Sequence, residues 1–69
     1  MKVAITIKVW GMREKKRMSA RALAKKAELS HSTVSDIESG RQTPGTETLI
    51  RLAVALGVKP EDLYEYRVT

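Results

Sequence analysis

Sixty-nine residues leave room for one domain, and such a chain buries only about 60% of its unfolded surface, so residues 1–69 are read as a single small unit. There is no cysteine, which excludes a disulfide or thiolate metal site as a brace, and no apolar run nears the roughly 18 residues of a membrane helix. The formal charge of +5 is uneven: residues 1–35 hold nine Lys or Arg against two acids (+7), and residues 36–69 hold four against six (−2), a distribution that suits phosphate as well as a plain solvated surface.

Val3, Ile5, Ile7 and Val9 alternate with Lys2, Ala4, Thr6 and Lys8, a strand period with β-branched residues. From Val9 the period turns helical, with Val9, Met12, Arg13 and Lys16 on one face. The pattern predicts a strand over about Val3–Thr6 and a helix from about Ile7 to Lys16. Gly11 inside that helix costs about 1 kcal/mol relative to alanine, which a close packing neighbour or Trp10 would explain. Met1–Trp10 lacks the apolar stretch and cleavage site of a signal peptide, so a soluble, cytoplasmic protein is expected. Lys15, Lys16 and Arg17 form a basic knuckle, either near phosphate or a solvated helix end favoured by the macrodipole. Met18 is placed to plug the core.

Residues 19–40, SARALAKKAELSHSTVSDIESG, organise the chain. Ser19 is a natural N-cap, because its hydroxyl oxygen can accept from an orphaned backbone N–H. Ala20, Leu23, Ala24 and Ala27 then share a face, flat enough for close approach. Ser30 repeats the cap, Val34 and Ile37 form a buried stripe, and Gly40 suits a left-handed turn past the helix end. Two short helices joined by about three residues, Glu28–Ser30, make a helix-turn-helix pattern whose second helix enters the major groove in DNA readers. An αα-corner with no DNA role has the same periodicity.

Pro44 breaks the following loop, and Gly45 or Thr46 should cap a helix running to about Leu56 with Leu49, Leu52, Ala53 and Leu56 inward. Ile50 and Val54 form a second apolar stripe on it, consistent with a dimer contact or with incomplete burial in a tiny domain. Gly57 closes this helix, Pro60 fits the first position of a fifth, and Glu61 and Asp62 suit its positive end. Leu63 faces the core. Glu65–Val68 reads as extended, a partner for the first strand within one chain or exchanged between two, with frayed ends the alternative.

Residues 12–63 resemble the Cro and lambda-repressor-like helix-turn-helix (XRE-type) family. The resemblance rests on Met12-Arg13, Leu23-Ala24, Ser30, Ser32-Thr33-Val34, Ile37-Glu38, Gly40, Pro44, Glu47-Thr48-Leu49, Leu52-Ala53 and Ala55-Leu56-Gly57-Val58 in their joint spacing. It implies an all-α, five-helix DNA-binding domain, to which the terminal segments would add a short two-stranded pairing.

The resemblance also implies roles. His31, Ser32 and Thr33 in the first turn of the recognition helix (31–39), with Ser35 and Asp36 beyond, are the candidates for base edges; Thr33 could rest its methyl on thymine and Asp36 accept from a cytosine amine. No Arg, Asn or Gln stands among them for a bidentate base contact. The backbone amides near Ser19, Ala20 and Ser30 point toward anions, Arg21 lies beside them, and Ser39, Arg41, Gln42 and Thr43 sit in a loop that follows the sugar-phosphate chain. Ala20 replaces a glutamine with which many relatives hold a phosphate, and Glu28 stands where a turn glycine is common. Arg13 and Glu38 are expected to form a structural ion pair that fixes the recognition helix.

One histidine, no cysteine, no Gly-rich phosphate loop and no metal-ligand cluster leave no catalytic set to assemble, so neither an enzyme nor a bound cofactor or metal is expected. The expected function is sequence-specific binding of double-stranded DNA by a transcription regulator, a repressor acting as a homodimer on a palindromic operator, with no small-molecule ligand. The alternative is a protein-interaction module, an antitoxin or adaptor, that keeps the fold with little DNA readout.

Overall fold

Two serines and two glycines punctuate the helical body. The Ser19 hydroxyl accepts from the Ala22 amide at 3.0 Å and the Ser30 hydroxyl from the Thr33 amide at 3.0 Å, each satisfying a donor that the first helical turn leaves free. Gly40 and Gly57 take left-handed conformations (φ +83° and +71°), which end the helices before them at little steric cost. A computed structural model describes all residues, 1–69. Its order is β1 (Val3–Ile7), α1 (Val9–Lys15), α2 (Ala20–Ala27), α3 (His31–Glu38), α4 (Thr46–Leu56), a 3-10 turn (Pro60–Leu63) and β2 (Tyr64–Val68). No helix is long and apolar enough to cross a membrane.

The core consists of Val9, Leu23, Ala24, Ala27, Val34, Ile37, Leu52, Ala53, Ala55, Leu56 and Leu63, with no buried polar residue. It draws from every helix, and Ile7, Met12, Met18, Ala20, Leu29, Leu49 and Val58 pack around its edge. Burying the larger of these side chains is worth about 1.5–3 kcal/mol each. Ile50 and Val54, the second stripe of α4, remain exposed.

Two expectations are corrected. The fold is not all-α with five helices: four helices are joined by a two-stranded sheet, and the segment expected as a fifth helix is one 3-10 turn. Pro60 does occupy its first position. The Asp62 amide donates to the Lys59 carbonyl at 2.9 Å and the Lys59 amide to the Asp62 carboxylate at 3.1 Å. With Leu63 seated in the core, the chain then leaves in extended form at Tyr64. The first helix likewise starts at Val9 rather than Ile7, because Ile7 is still paired with Tyr64 in the sheet.

The termini pair within one chain. β1 and β2 are antiparallel, in the register Val3–Val68, Ala4–Arg67, Ile5–Tyr66, Thr6–Glu65 and Ile7–Tyr64. Lys2 and Thr69 continue the ladder with reciprocal backbone bonds of 2.8 and 2.9 Å, and the Lys8 amide ties its inner end to the Leu63 carbonyl at 2.7 Å.

Gly11 has no packing reason on its own chain, since a β-carbon built there would meet nothing within 4 Å. Replacing it with alanine removes backbone freedom from the unfolded chain and raises helix propensity. Gly11→Ala should therefore stabilise the protein by about 0.5–1 kcal/mol, read as a higher midpoint in urea at unchanged slope; a lowered midpoint would show a constraint at this position.

Candidate nucleic-acid interface

The orientation of α3 is set at its C-terminal end by a side chain from α1. The Arg13 guanidinium donates from Nε to Glu38 Oε2 at 2.8 Å and from Nη2 to Glu38 Oε1 at 3.0 Å, a bidentate fork. Its Nη1 donates to the Met18 carbonyl at 3.1 Å, just before α2 begins. One planar group thus joins α1, the start of α2 and the end of α3. Both side chains are nearly withdrawn from water, at 13% and 12% exposure, so the pair is far less screened than a surface bridge.

The Arg13 guanidinium is held above its ordinary value, first by the hydrogen bond to Glu38 and then by the charges of Glu38 and Glu14, against the opposing effect of burial. A raised pKa on a cation means that its stabilisation is complete below the unfolded value and is lost only as pH rises through the folded one. For an arginine that window lies above the working range.

The loop after α3 is anchored by Asp36. Its carbonyl accepts from the Arg41 amide at 2.9 Å, the Gln42 amide at 3.1 Å and the Ser39 hydroxyl at 3.2 Å, while its carboxylate accepts from Arg41 Nε at 3.0 Å. An exposed pair of this kind adds little stability. It does direct the guanidinium, leaving its two terminal nitrogens with no partner in the protein. Gln42 and Thr43 are exposed.

The first turn of α3 lies at the opposite end of the helix from both anchors. His31 and Ser32 are exposed, whereas Thr33, Ser35 and Asp36 are half-buried. Ser30 and Thr33 share a hydroxyl–hydroxyl bond of 2.8 Å, so the Thr33 oxygen is engaged beside the cap and its methyl is the part left for contact. At the other helix start, Ser19 and Arg21 are exposed and Ala20 half-buried. The Arg13 fork ties the chain just before Ser19 to the far end of α3.

The turn between α2 and α3 is Glu28–Ser30, and Glu28 adopts the left-handed region (φ +57°, ψ +44°), a strained setting for a residue with a β-carbon that costs about 1 kcal/mol or more. Arg51 Nη1 reaches its carbonyl at 3.5 Å. Arg17, in the basic knuckle, is the other non-glycine with positive φ, at +53°. Sequence reasoning missed the double role of Asp36. The signal was the spacing of Asp36 and Arg41 across Gly40, which a reversing chain brings together.

A profile of the Helix-turn-helix family matches residues 12–63, and the chain belongs to that family, in its Cro and lambda-repressor-like, XRE-type branch. Over 52 residues it is 35% identical to Control protein C.BamHI of Bacillus amyloliquefaciens, covering 75% of this chain and 64% of that protein; the chain thus spans less than two thirds of that relative's length. The crystal structure of the restriction-modification controller protein C.AhdI from Aeromonas hydrophila superposes with a TM-score of 0.77 at 27% identity, over 80% of this chain and 83% of that one. The clp gene regulator ClgR from C. glutamicum superposes with a TM-score of 0.74 at 30% identity, over 78% and 70% of the two chains.

Breaking one side of the Arg13–Glu38 fork leaves the other charge nearly buried without a partner. Arg13→Ala and Glu38→Ala should each cost about 3 kcal/mol, and the double variant less than their sum. The check is a double-mutant cycle in urea; additive losses would mean that the two groups are not energetically coupled.

Proposed function

We propose that this protein is a transcription regulator, a repressor in the cytoplasm, that binds double-stranded DNA as a homodimer on a palindromic operator. The observation that supports the reading best is the arrangement around the Arg13 fork. It ties the end of α3, next to the Asp36-anchored loop, to the chain just before the Ser19 cap of α2, and so fixes the helix whose first turn is polar and exposed. A groove-entering helix needs to be fixed in this way, with flanking groups that clamp the backbone and fix its register. Family membership and the relatives described as a controller protein and a gene regulator point the same way.

In this reading His31, Ser32 and Ser35 face base edges, with the Thr33 methyl against thymine. Asp36 has its carboxylate satisfied by Arg41, which removes much of the repulsion an unpaired carboxylate would meet near phosphates, and its remaining lone pairs can accept from a cytosine amine. Ser19, Ala20 and Ser30 offer backbone or hydroxyl donors to phosphate, with Arg21, Ser39, Arg41, Gln42 and Thr43 alongside. Two recognition helices, one per copy, would then lie about 34–36 Å apart, one turn of DNA.

Selection from a random duplex pool, followed by titration of the selected duplex at several salt concentrations, tests the reading. An enriched palindrome bound far above bulk DNA with a steep salt slope is expected. No enrichment, with only weak salt-sensitive binding, would replace the reading with that of a protein-interaction module. Arg41→Ala should weaken binding to all sequences and lower the salt slope by about 1; an unchanged slope would remove Arg41 from the phosphate set. Ser32→Ala should alter the selected sequence while leaving that slope in place, and an identical selected site would take Ser32 out of the readout.

A further inference from the structure

The ladder register sorts the ribbon of β1 and β2 into two unlike faces. Residues directly across an antiparallel pair lie on the same side, so Val3, Ile5 and Ile7 share one face with Val68, Tyr66 and Tyr64. The opposite face carries Ala4, Thr6, Glu65 and Arg67, with Lys2 and Lys8 at its ends. Every charged residue of the ribbon is therefore on one side, and the other side is apolar apart from the tyrosine hydroxyls.

That apolar side is only half covered. At its inner end Ile7 packs against the core. At its outer end Val3, Ile5, Tyr66 and Val68 are 52–69% exposed, and Met1 is wholly exposed. A two-stranded ribbon is marginal in water unless its apolar face is packed. A contiguous exposed apolar patch is often a contact site.

The shape of the face points to its occupant. Beside the exposed outer end lies an open apolar trough of about 180 Å³, formed where Ile5, Ile7 and Tyr64 face Thr43, Pro44 and Leu49 of the helical body. A ridge and a hollow thus sit next to each other on one surface. A two-fold axis through the middle of the ribbon, near the Ile5–Tyr66 pair, would set each ridge into the other copy's hollow, which is the condition for a self-complementary interface. The absence of charged side chains from this face also matters for a chain of net charge +5, because two like copies meet there without opposing Lys or Arg side chains. Covering five such side chains in each copy removes on the order of 1,000 Å² in total, the size of a weak, reversible interface.

We propose that the apolar face of the terminal ribbon is the surface through which two copies of this chain associate, and that Ile50 and Val54 of α4 are not. The inference rests on the homodimer of the proposed function and assigns its location. It explains why the ribbon is amphipathic, and gives the terminal strands a use that a monomeric reader would lack. The trough is bounded by Thr43 and Pro44, which continue the Asp36-anchored loop, so the contact would sit beside the elements placed along DNA.

The test is sedimentation equilibrium of the full chain without DNA, from micromolar to near-millimolar concentration. The wild type should be a dimer whose dissociation constant rises about 100-fold in Tyr66→Lys and in Val3→Lys, and does not move in Val54→Lys. Circular dichroism would confirm that each variant is folded. Because the chain has no cysteine, Tyr66→Cys supplies a second measurement that needs no disruption: a short bismaleimide should link two copies at Tyr66→Cys and not at Val54→Cys. A wild type that stays monomeric throughout, or one whose dimer is dissociated and cross-linked at Val54 and not at the ribbon, would overturn the inference. Neither result bears on duplex selection, so loss of the ribbon interface with a palindrome still enriched leaves the DNA reading standing, and the converse leaves the interface standing without it.

Discussion

The bidentate contact of Arg13 with Glu38 is the constraint on which the reading unit depends. α3 is eight residues long and buries only Val34 and Ile37. Two contacts one turn apart hold a short helix down but resist rotation about its own axis poorly, and rotation is what would change which side chains face outward. A fork at the helix end removes that freedom, because the planar guanidinium must lie in register with both carboxylate oxygens. The third bond, to the Met18 carbonyl, extends the same restraint to the entry of α2. A lysine there would keep the charge and lose the geometry.

Alanine makes this restraint more important. Ala24, Ala27, Ala53 and Ala55 account for four of the eleven core residues. They let the helices approach closely, but each contributes little buried area, and a 69-residue chain has little to spare. The packing alone therefore defines the helix positions less tightly than a core of branched side chains would. Polar fixtures at the periphery supply the remaining definition: the Arg13 fork, the Asp36 anchor and the two serine caps. None is a large source of stability except the first, and all four surround the face that would meet DNA.

Much of this was legible in the sequence wherever one residue type has one local use. Ser19 and Ser30 as caps, Gly40 and Gly57 as left-handed terminators, and the three-residue turn at Glu28–Ser30 follow from backbone chemistry that acts within a few positions. The apparent fifth helix failed for the opposite reason. Pro60, Glu61 and Asp62 form a sound helix start, yet Leu63 and Tyr64 are claimed by the core and by the strand ladder before a second turn can close. The boundary of α1 moved by the same competition, since Ile7 can serve either period and its partner Tyr64 decides. Such outcomes depend on residues 57 positions apart, which no local pattern contains. The candidate site was legible as a set of positions. Its internal bonds were not, because the bond between Asp36 and Arg41 exists only once Gly40 has reversed the chain.

Glu28 connects these levels. A glycine there would relieve the backbone, and the strain persists only because the surrounding structure fixes the turn. The fixing elements can be named: Ala24 and Ala27 bury the end of α2, the Leu29 amide returns to the Ala24 carbonyl at 2.8 Å, and Ser30 starts the next helix through its cap. With both flanks determined, three residues have almost no alternative path, and Glu28 takes the conformation left to it. The angle between α2 and α3 is thus set by the ends of the helices rather than by the turn. The same division holds at the Arg13 fork: the elements that would face DNA are positioned from outside themselves, which leaves their exposed side chains free to vary without disturbing the frame.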